Sequence, residues 1–179
     1  RDPIPRRRTD AFFNSLLGGS PFFEGDAFSP AKRRQLSGPG LRTFLALANL
    51  WNLDEEQRLR ILGSPSRSTF YGWQKAVQER RDITLGFDTL VRISAVLGIW
   101  SALQILYGDE KRGIAWLRGP HQATVFGGKS PLELMTSGTQ DALLVTRRFL
   151  DGARGGLYMR PNEIDRDFAP YRDEDIVRE

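Results

Sequence analysis

The stretch HQATVFGGKSPLELM, residues 121 to 135, contains Gly-Lys-Ser after a second glycine, which are the residues that close many phosphate-binding loops. A P-loop places another glycine five residues before its Gly-Lys pair, so that successive backbone N–H groups surround the phosphates. That position holds Ala123 here, and Pro131 removes an N–H group directly after Ser130. The same residues suit a helix start, with Ser130 as N-cap, Pro131 as first helical residue and Glu133 completing a capping box. We therefore predict an architectural turn and no nucleotide site.

Residue types that support catalysis or metal binding are scarce in this chain. There are no cysteines, which excludes disulfides and thiolate chemistry, and the single histidine, His121, cannot form a multi-histidine metal site. Asp109 and Glu110 are adjacent acids, but acids are also favoured in the first turn of a helix. Because no serine, histidine and carboxylate set has a spacing that would bring it together, we expect no enzyme, no catalytic residue, no metal and no cofactor.

The composition is that of a folded chain. Its 179 residues are 40% hydrophobic, which suffices for one domain with a real core or for two small ones. No apolar run approaches the roughly 18 residues that span a bilayer, and the amino end lacks the apolar block of a signal peptide. We expect a cytoplasmic protein.

Charge is distributed unevenly along the chain. The net charge is +4, and residues 58 to 81 form a basic stripe with one acid, Glu79. Residues 153 to 179 are locally acidic, with seven acids against five arginines. The contrast predicts that the two ends have different partners.

The segments that would carry these charges have helical periodicity throughout, so the chain is predicted to be all-α. Residues 1 to 38 are rich in proline and glycine and are interpreted as a loosely ordered arm. Helices are predicted from Gly40 to about Asn52, over 55–62 between an Asp54 cap and Gly63, and over 67–78. Two apolar segments follow at 87–98 and 99–108, each closed by a glycine. Further helices are predicted over 109–118, 131–135 and 139–152, and we detect no sequence repeat.

The short helix after Asp54 and the helix over 67–78 have the plan of a helix-turn-helix, joined by a brief Gly-Ser-Pro-Ser turn. Phe70 and Trp73 lie on the apolar face of the second helix. The N-terminal residues of that helix would lie nearest the bases, namely Ser66, Arg67, Ser68, Thr69 and Tyr71, with Arg67 suited to guanine. Phosphate contacts are predicted for Arg58, Arg60 and Lys75. An ordinary helical hairpin with a solvated basic face remains the alternative.

Residues 103 to 159 resemble the toxin-binding domain of the Xre/MbcA/ParS-type antitoxins. The matching features are Gly108-Asp109, Ala115-Trp116-Leu117, Pro120, Gly127-Gly128, the helix start at 130–134 and a final helix that ends at a glycine and Tyr158. The preceding helices resemble the Xre-like DNA-binding half of such antitoxins. The resemblance implies a non-catalytic inhibitor of a RES-domain toxin, which is expected to have an ADP-ribosyltransferase-like fold and to consume NAD. The antitoxin is expected to block that active site and to repress its own operon on double-stranded operator DNA.

Within this resemblance, the last helix and the residues after it are the predicted toxin contacts: Arg147, Arg148, Arg154, Leu157, Tyr158 and Met159. A small helical core is predicted from Trp116, Leu117, Leu132, Leu134, Leu143, Leu144 and Leu150. The chain departs from the family pattern because the locally acidic segment 160–179 follows the point where such antitoxins are expected to stop. We hypothesise that this tail wraps the toxin and places carboxylates against its NAD-binding basic residues. The alternative is a solvated end.

These interpretations divide the chain into an arm at 1–38, a DNA-binding domain at 39–107, a toxin-binding domain at 108–159 and a tail at 160–179. A homodimer within a larger toxin–antitoxin complex is expected, since helix-turn-helix proteins commonly read two half-sites. The apolar residues 97–106, with Trp100, Ile105 and Leu106, form either a dimer interface or part of the core. The alternative function is a dimeric helix-turn-helix regulator without a toxin partner.

Overall fold

The computed structural model describes residues 29–156, which form helices and loops without a strand, as the all-α prediction requires. The helices are α1 Pro30–Leu50, α2 Glu55–Ile61, α3 Arg67–Gln78, α4 Phe87–Tyr107, α5 Glu110–Arg118, α6 Pro131–Met135 and α7 Gln140–Arg154. α4 lies at the centre, and α7, α1 and α5 all pack against it. One hydrophobic core therefore runs through both the first and the second half of the described chain.

The first helix begins at Pro30, ten residues before the predicted start at Gly40. Ser29 caps it, with its Oγ accepting from the Lys32 N–H. Ser37 is fully buried, and its Oγ accepts from the Leu85 N–H at 2.8 Å. Glycines and Pro39 interrupt the helical period in this part of the sequence. The hydrogen bond that stabilises the helix at Ser37 comes from Leu85, which is 48 positions away in the sequence. The rest of the predicted arm, residues 1–28, lies outside the described residues.

α4 is a single helix of 21 residues, so the prediction of two segments divided at Gly98 is wrong. Gly98 lies where α7 crosses α4, and a Cβ there would be 2.7 Å from Nε of Arg147. The missing side chain lets the arginine of α7 lie directly against the helix backbone. Gly98 therefore allows close packing and does not end the helix, whereas Gly108, with φ +64°, does end it.

By length and composition α4 passes the test for a membrane-spanning helix, with a mean hydropathy of 1.6, which corrects the expectation that no apolar run is this long. A helix that packs on several sides is apolar all round, and 61% of its most apolar window is buried inside this fold. Leu97 and Trp100 are buried, and Trp100 contacts Trp51 with ring centroids 6.5 Å apart. Core packing thus accounts for most of the apolar segment 97–106. Ile105 is its exposed member, with 60% of its surface accessible.

Candidate functional site

The helix pair α2 and α3 is defined by caps at both starts. Asp54 Oδ1 accepts from the Gln57 N–H at 2.8 Å, and Gln57 Oε1 accepts from the Asp54 N–H, which completes a capping box. α2 closes at Gly63 with φ +91°, and Ser66 caps α3 by accepting from the Thr69 N–H at 3.1 Å. The predicted bounds of both helices are therefore confirmed to within a residue or two.

α3 has one buried and one exposed face, in the arrangement that its sequence predicts. Phe70 and Val77 are buried, and Trp73 packs partly against the core. Ser68, Tyr71, Lys75 and Gln78 are exposed at spacings of three and four, so they form one continuous stripe along the helix. We call these four residues the α3 stripe, and they form the surface of α3 that is available to a partner.

A carboxylate of α2 lies against the start of the α3 stripe. Oε1 of Glu55 is 3.1 Å from Nε of Arg67, and its Oε2 accepts a hydrogen bond from the Tyr71 hydroxyl. That hydrogen bond raises the pKa of Tyr71 above its ordinary value, because it stabilises the protonated phenol. Glu55 was not among the predicted site residues. Its position in the first turn of α2 indicated only a favourable interaction with the helix dipole, and its contact with α3 depends on the angle between the helices.

The other predicted DNA contacts differ in the exposure of their side chains and in the residues that these side chains contact. Arg58 donates to the Leu53 carbonyl and to Asn49 Oδ1, both at 2.9 Å, so it ties α2 to the end of α1. Arg60 is exposed and forms an ion pair with Glu56 in its own helix. Nζ of Lys75 is exposed and lies 4.0 Å from a Glu79 oxygen. Arg58 therefore stabilises the packing of α2 against the end of α1, whereas Arg60 and Lys75 lie at the surface.

The glycine-rich loop between α5 and α6 has the capped turn that we predicted. Ser130 Oγ accepts from the Glu133 N–H, and Glu133 Oε2 accepts from both the N–H and the hydroxyl of Ser130. The backbone hydrogen bond, followed by that from the hydroxyl, lowers the pKa of Glu133. The N–H groups of His121 and of residues 126–129 donate within the loop itself, so they are not arranged to surround a phosphate.

Four aromatic rings meet at this loop, an arrangement that no sequence pattern predicted. Trp116 of α5 stacks on Phe149 of α7 with centroids 6.1 Å apart and an interplanar angle of 22°. His121 and Phe126 of the loop each contact both of these rings, at centroid distances of 5.0 to 5.8 Å. Positive φ angles at Gly127 and Gly128 turn the chain back after Phe126. The four rings have no common period in the sequence, so the contact between α5 and α7 and the path of the loop bring them together.

Beside this aromatic cluster an open apolar cleft of about 260 Å³ lies between α4, α5 and α7. It is lined by Leu106, Tyr107, Trp116, His121, Phe149, Leu150 and Ala153. Nδ1 of His121 is buried and has no hydrogen-bond partner among residues 29–156. The cleft thus has a mainly apolar lining, as small recognition pockets usually do.

The predicted toxin contacts lie around the end of α7. The Arg147 side chain is only 20% exposed, because it packs over Gly98 and lies 3.5 Å from Asp151. Arg148 is 68% exposed and Arg154 39%, and they lie near Asp141 and Asp151 respectively. Arg148 and Arg154 are therefore accessible, whereas Arg147 mainly holds α7 on α4. Leu157, Tyr158 and Met159 lie outside the described residues, as does the tail at 160–179.

Most of the predicted core residues of the second half are buried or partly buried, and in α6 Met135 takes the core position that was predicted for Leu134. Leu117, Leu132, Leu143 and Leu150 are buried, while Trp116, Leu134 and Leu144 are partly exposed. Met135 is fully buried in this core, although we had not assigned it there. The short α6 is rotated so that Met135 and Leu132 point inward, an orientation that five residues of sequence do not define.

Comparison with known proteins identifies the same region. Residues 102–156 match the family described as the antitoxin Xre/MbcA/ParS C-terminal toxin-binding domain. A relative from Sinorhizobium fredii, described as uncharacterized protein y4oB, is 40% identical over 116 residues, which are 65% of this chain and 84% of the relative. The family match spans the end of α4, the aromatic loop and the whole of α7. This chain therefore belongs to the Xre/MbcA/ParS-type antitoxins.

Proposed function

We propose that this antitoxin binds a RES-domain toxin through the surface around the end of α7 and blocks the toxin's NAD-consuming active site. The chain acts as a non-catalytic inhibitor in this proposal. The observation that carries it is the apolar cleft beside the aromatic cluster, because the cleft lies within the family-matched stretch and opens at the surface. Its volume of about 260 Å³ is below the roughly 300–1,000 Å³ of small-molecule sites, so it suits a single anchor side chain of a protein partner.

The surroundings of the cleft have the composition of a protein interface. Aromatic residues line it, and the exposed Arg148 and Arg154 are the sequence neighbours of the lining residues Phe149 and Ala153 in α7. Interfaces commonly place an apolar anchor in a pocket and surround it with polar residues that exclude water.

The toxin interface is tested by filling the cleft with Ala153→Trp. The matched control is Ala46→Trp, which adds the same side chain at an exposed position of α1. We expect Ala153→Trp to weaken toxin binding by ~10-fold or more, because hot-spot losses reach about 2 kcal/mol. The readout is NAD consumption by the purified toxin as each antitoxin variant is titrated in. Equal inhibition by both variants would exclude the cleft from the interface.

The identity of the partner needs a separate experiment. The full chain, tagged and purified from its native cells, should bring down a RES-domain protein that consumes NAD once it is separated. Recovery of DNA without such a protein would instead favour a regulator that lacks a toxin partner. Removal of residues 161–179 tests the proposed role of the acidic tail, and unchanged toxin affinity and inhibition in that variant would remove the tail from the proposal.

We also propose that α2 and α3 bind operator DNA as a helix-turn-helix and repress the antitoxin's own operon, with two chains reading two half-sites. Support comes from the capped helix pair and from the exposed polar residues of the α3 stripe. Arg67, 74% exposed at the start of α3, is the candidate for base contact, and Lys75 is the candidate for phosphate contact. Ser66 is bound to the Thr69 N–H, so its first role is capping.

Binding of labelled operator fragments tests this assignment. Arg67→Ala should reduce discrimination at one base position by about 1–3 kcal/mol, whereas Lys75→Ala should weaken binding to all sequences and lower the salt slope by about 1. If both variants bound every fragment like the original protein, the helix-turn-helix assignment would be wrong.

A further inference from the structure

A second basic surface lies beyond the far end of α3. A groove of about 830 Å³ runs between the first half of α1 and the segment that follows α3. Four arginines line it, Arg34, Arg42, Arg80 and Arg81, against a single acid, Asp82. This "arginine groove" lies outside the family-matched residues 102–156 and contains none of the predicted site residues.

The α1 side of the groove is shaped by small and irregular residues. Arg34 and Arg42 are two helical turns apart, so they share a face, and Gly38 lies between them. Gly38 and Pro39 both line the groove, although both are unfavourable inside a helix. With no side chain at Gly38, the Arg42 guanidinium lies close to the helix there, since a Cβ on Gly38 would be 3.4 Å from Nη1 of Arg42.

The α3 side contains an arginine in a conformation that glycine normally adopts. Arg80 has φ +56° and follows the end of α3, where the N–H groups of Arg80 and Arg81 donate to the Val77 and Ala76 carbonyls. This is a Schellman ending, in which the left-handed position is usually glycine because other residues are strained there. Strained residues cluster at functional sites. Here the left-handed turn at Arg80 places Arg80 and Arg81 at the groove.

The positive charge of the groove is only partly neutralised. Arg34 lies 2.6 Å from Asp82, and Arg81 lies 2.6 Å from Glu79, but all four side chains are at least 46% exposed. Such exposed pairs are weak and readily exchanged for another anion. Arg42 and Arg80 form no ion pair with any residue in the described range 29–156. The groove therefore offers guanidinium groups to an external anion.

The α3 stripe leads from the proposed base-reading end of α3 to this groove. Ten residues separate Ser68 from Gln78, and Gln78 lines the groove. At 1.5 Å per residue this distance is about 15 Å. The major groove of DNA is about 12 Å wide, so when the start of α3 lies at the bases its other end reaches the flanking backbone.

We propose that the arginine groove binds the sugar–phosphate backbone of the same DNA duplex that α3 reads. The inference rests on the proposed DNA binding and extends the contact from α3 to the first half of α1 and to the segment that follows α3. A phosphate backbone fits better than the chain's own acidic tail, because residues 160–179 carry an arginine every sixth position, Arg160, Arg166, Arg172 and Arg178. Phosphates present only negative charge, and guanidinium groups bind them with paired hydrogen bonds.

The test is the salt dependence of operator binding by the full chain carrying Arg42→Gln and Arg80→Gln together. The matched control is Lys111→Gln with Arg112→Gln, which removes the same charge from exposed positions of α5. We expect the groove variant to lower the slope of log K against log salt by about 1 to 2, because each phosphate contact contributes roughly 0.9. We expect the control to keep the original slope, and circular dichroism checks that both variants are folded.

The outcomes separate this inference from the proposed function. If the unmodified protein bound no DNA, both proposals would be overturned. If it bound DNA and the groove variant kept the original slope, the groove inference alone would be wrong. An equal decrease in the control would mean a general charge effect and would also remove the groove. Loss of toxin neutralisation by the groove variant, with DNA binding unchanged, would assign the groove to the toxin instead.

Discussion

At the scale of single residues, glycines of the same helical conformation have different reasons to be present. Gly98 is enclosed, since a Cβ would contact Arg147, whereas Gly72 in the middle of α3 has no atom within 4 Å of that position. Glycine inside a helix costs about 0.5–1 kcal/mol relative to alanine. At Gly98 the cost is balanced by the close contact of two helices. At Gly72 no contact within the described chain balances it, and the residue lies next to Tyr71 on the exposed side of α3.

Alanine substitutions distinguish these two cases. Gly72→Ala should raise the free energy of unfolding by about 0.5–1 kcal/mol, because only the helix propensity changes. Gly98→Ala should give no such gain, since the new methyl group displaces the Arg147 side chain from α4. Urea denaturation of the two variants measures the difference. A stabilisation by Gly98→Ala as large as that by Gly72→Ala would show that the crossing of α4 and α7 tolerates a methyl group.

The capping box at Ser130 gives a pH-dependent prediction. Ser130→Ala should lower the free energy of unfolding by about 1 kcal/mol at neutral pH, as N-cap removals do. Because the pKa of Glu133 is lowered in the folded state, its hydrogen bonds stabilise the fold above the unfolded pKa of about 4.3 and this contribution is lost as the pH falls through the folded value. The difference between Ser130→Ala and the original protein should therefore shrink in acid. A constant difference from pH 7 to pH 3 would contradict this account.

At the scale of elements, the angle between α2 and α3 places Glu55 against two residues of the proposed DNA surface. A carboxylate near a phosphate backbone opposes binding, but this one also orients Arg67 and Tyr71. In the proposed DNA complex, Glu55 would lower the affinity for any sequence while it holds the Arg67 and Tyr71 side chains in position. The contact joins the first turn of α2 to the start of α3.

Glu55→Gln should weaken the interactions with the Arg67 and Tyr71 side chains and should also remove a negative charge. We expect DNA affinity at low salt to rise by a few-fold for all sequences, and discrimination between operator and random DNA to fall. The pKa of Tyr71 should move down toward its usual value, which alkaline spectrophotometric titration against a Tyr71→Phe background measures. Glu56→Gln is the control, since Glu56 pairs with Arg60 in the same helix. Unchanged discrimination in Glu55→Gln would limit Glu55 to a structural role.

At the scale of the whole molecule, α4 connects the proposed DNA-binding and toxin-binding surfaces. The predicted division at residue 107 assigns α4 to one domain and α7 to the other, although these two helices pack against each other. That boundary stays a prediction. The guanidinium of Arg118 in α5 also donates to the Trp51 carbonyl at the end of α1, which adds a second connection between the halves.

A substitution in α4 should therefore affect both activities together. Ile99→Ala removes a fully buried side chain and should cost about 2–5 kcal/mol, with DNA binding and toxin neutralisation lost over one shared thermal transition. Ile105→Ala is the matched control on the same helix, because Ile105 is 60% exposed, and should change stability by about 0.5 kcal/mol or less. Two separate transitions in the original protein would instead show that the halves fold independently.

Local chemistry predicted several elements correctly because the interactions that define them lie within a few residues. Asp54 and Ser130 were assigned as caps, and each side chain accepts from the N–H three residues later. The family resemblance over residues 103–159 likewise agrees with the match over 102–156. The failed P-loop spacing was also informative, since the loop N–H groups bond within the loop.

The sequence by itself thus determined the helical class, the caps and the family, because periodicity, capping and motif order are properties of neighbouring residues. Only the tertiary structure decided that Gly98 lies inside a helix, that Arg147 packs on α4, and that Glu55 contacts α3. It alone brought Trp116, His121, Phe126 and Phe149 into one cluster and four arginines into one groove. These features depend on the angles and distances between helices, which follow from the packing of the whole core and have no signature in a short stretch of sequence.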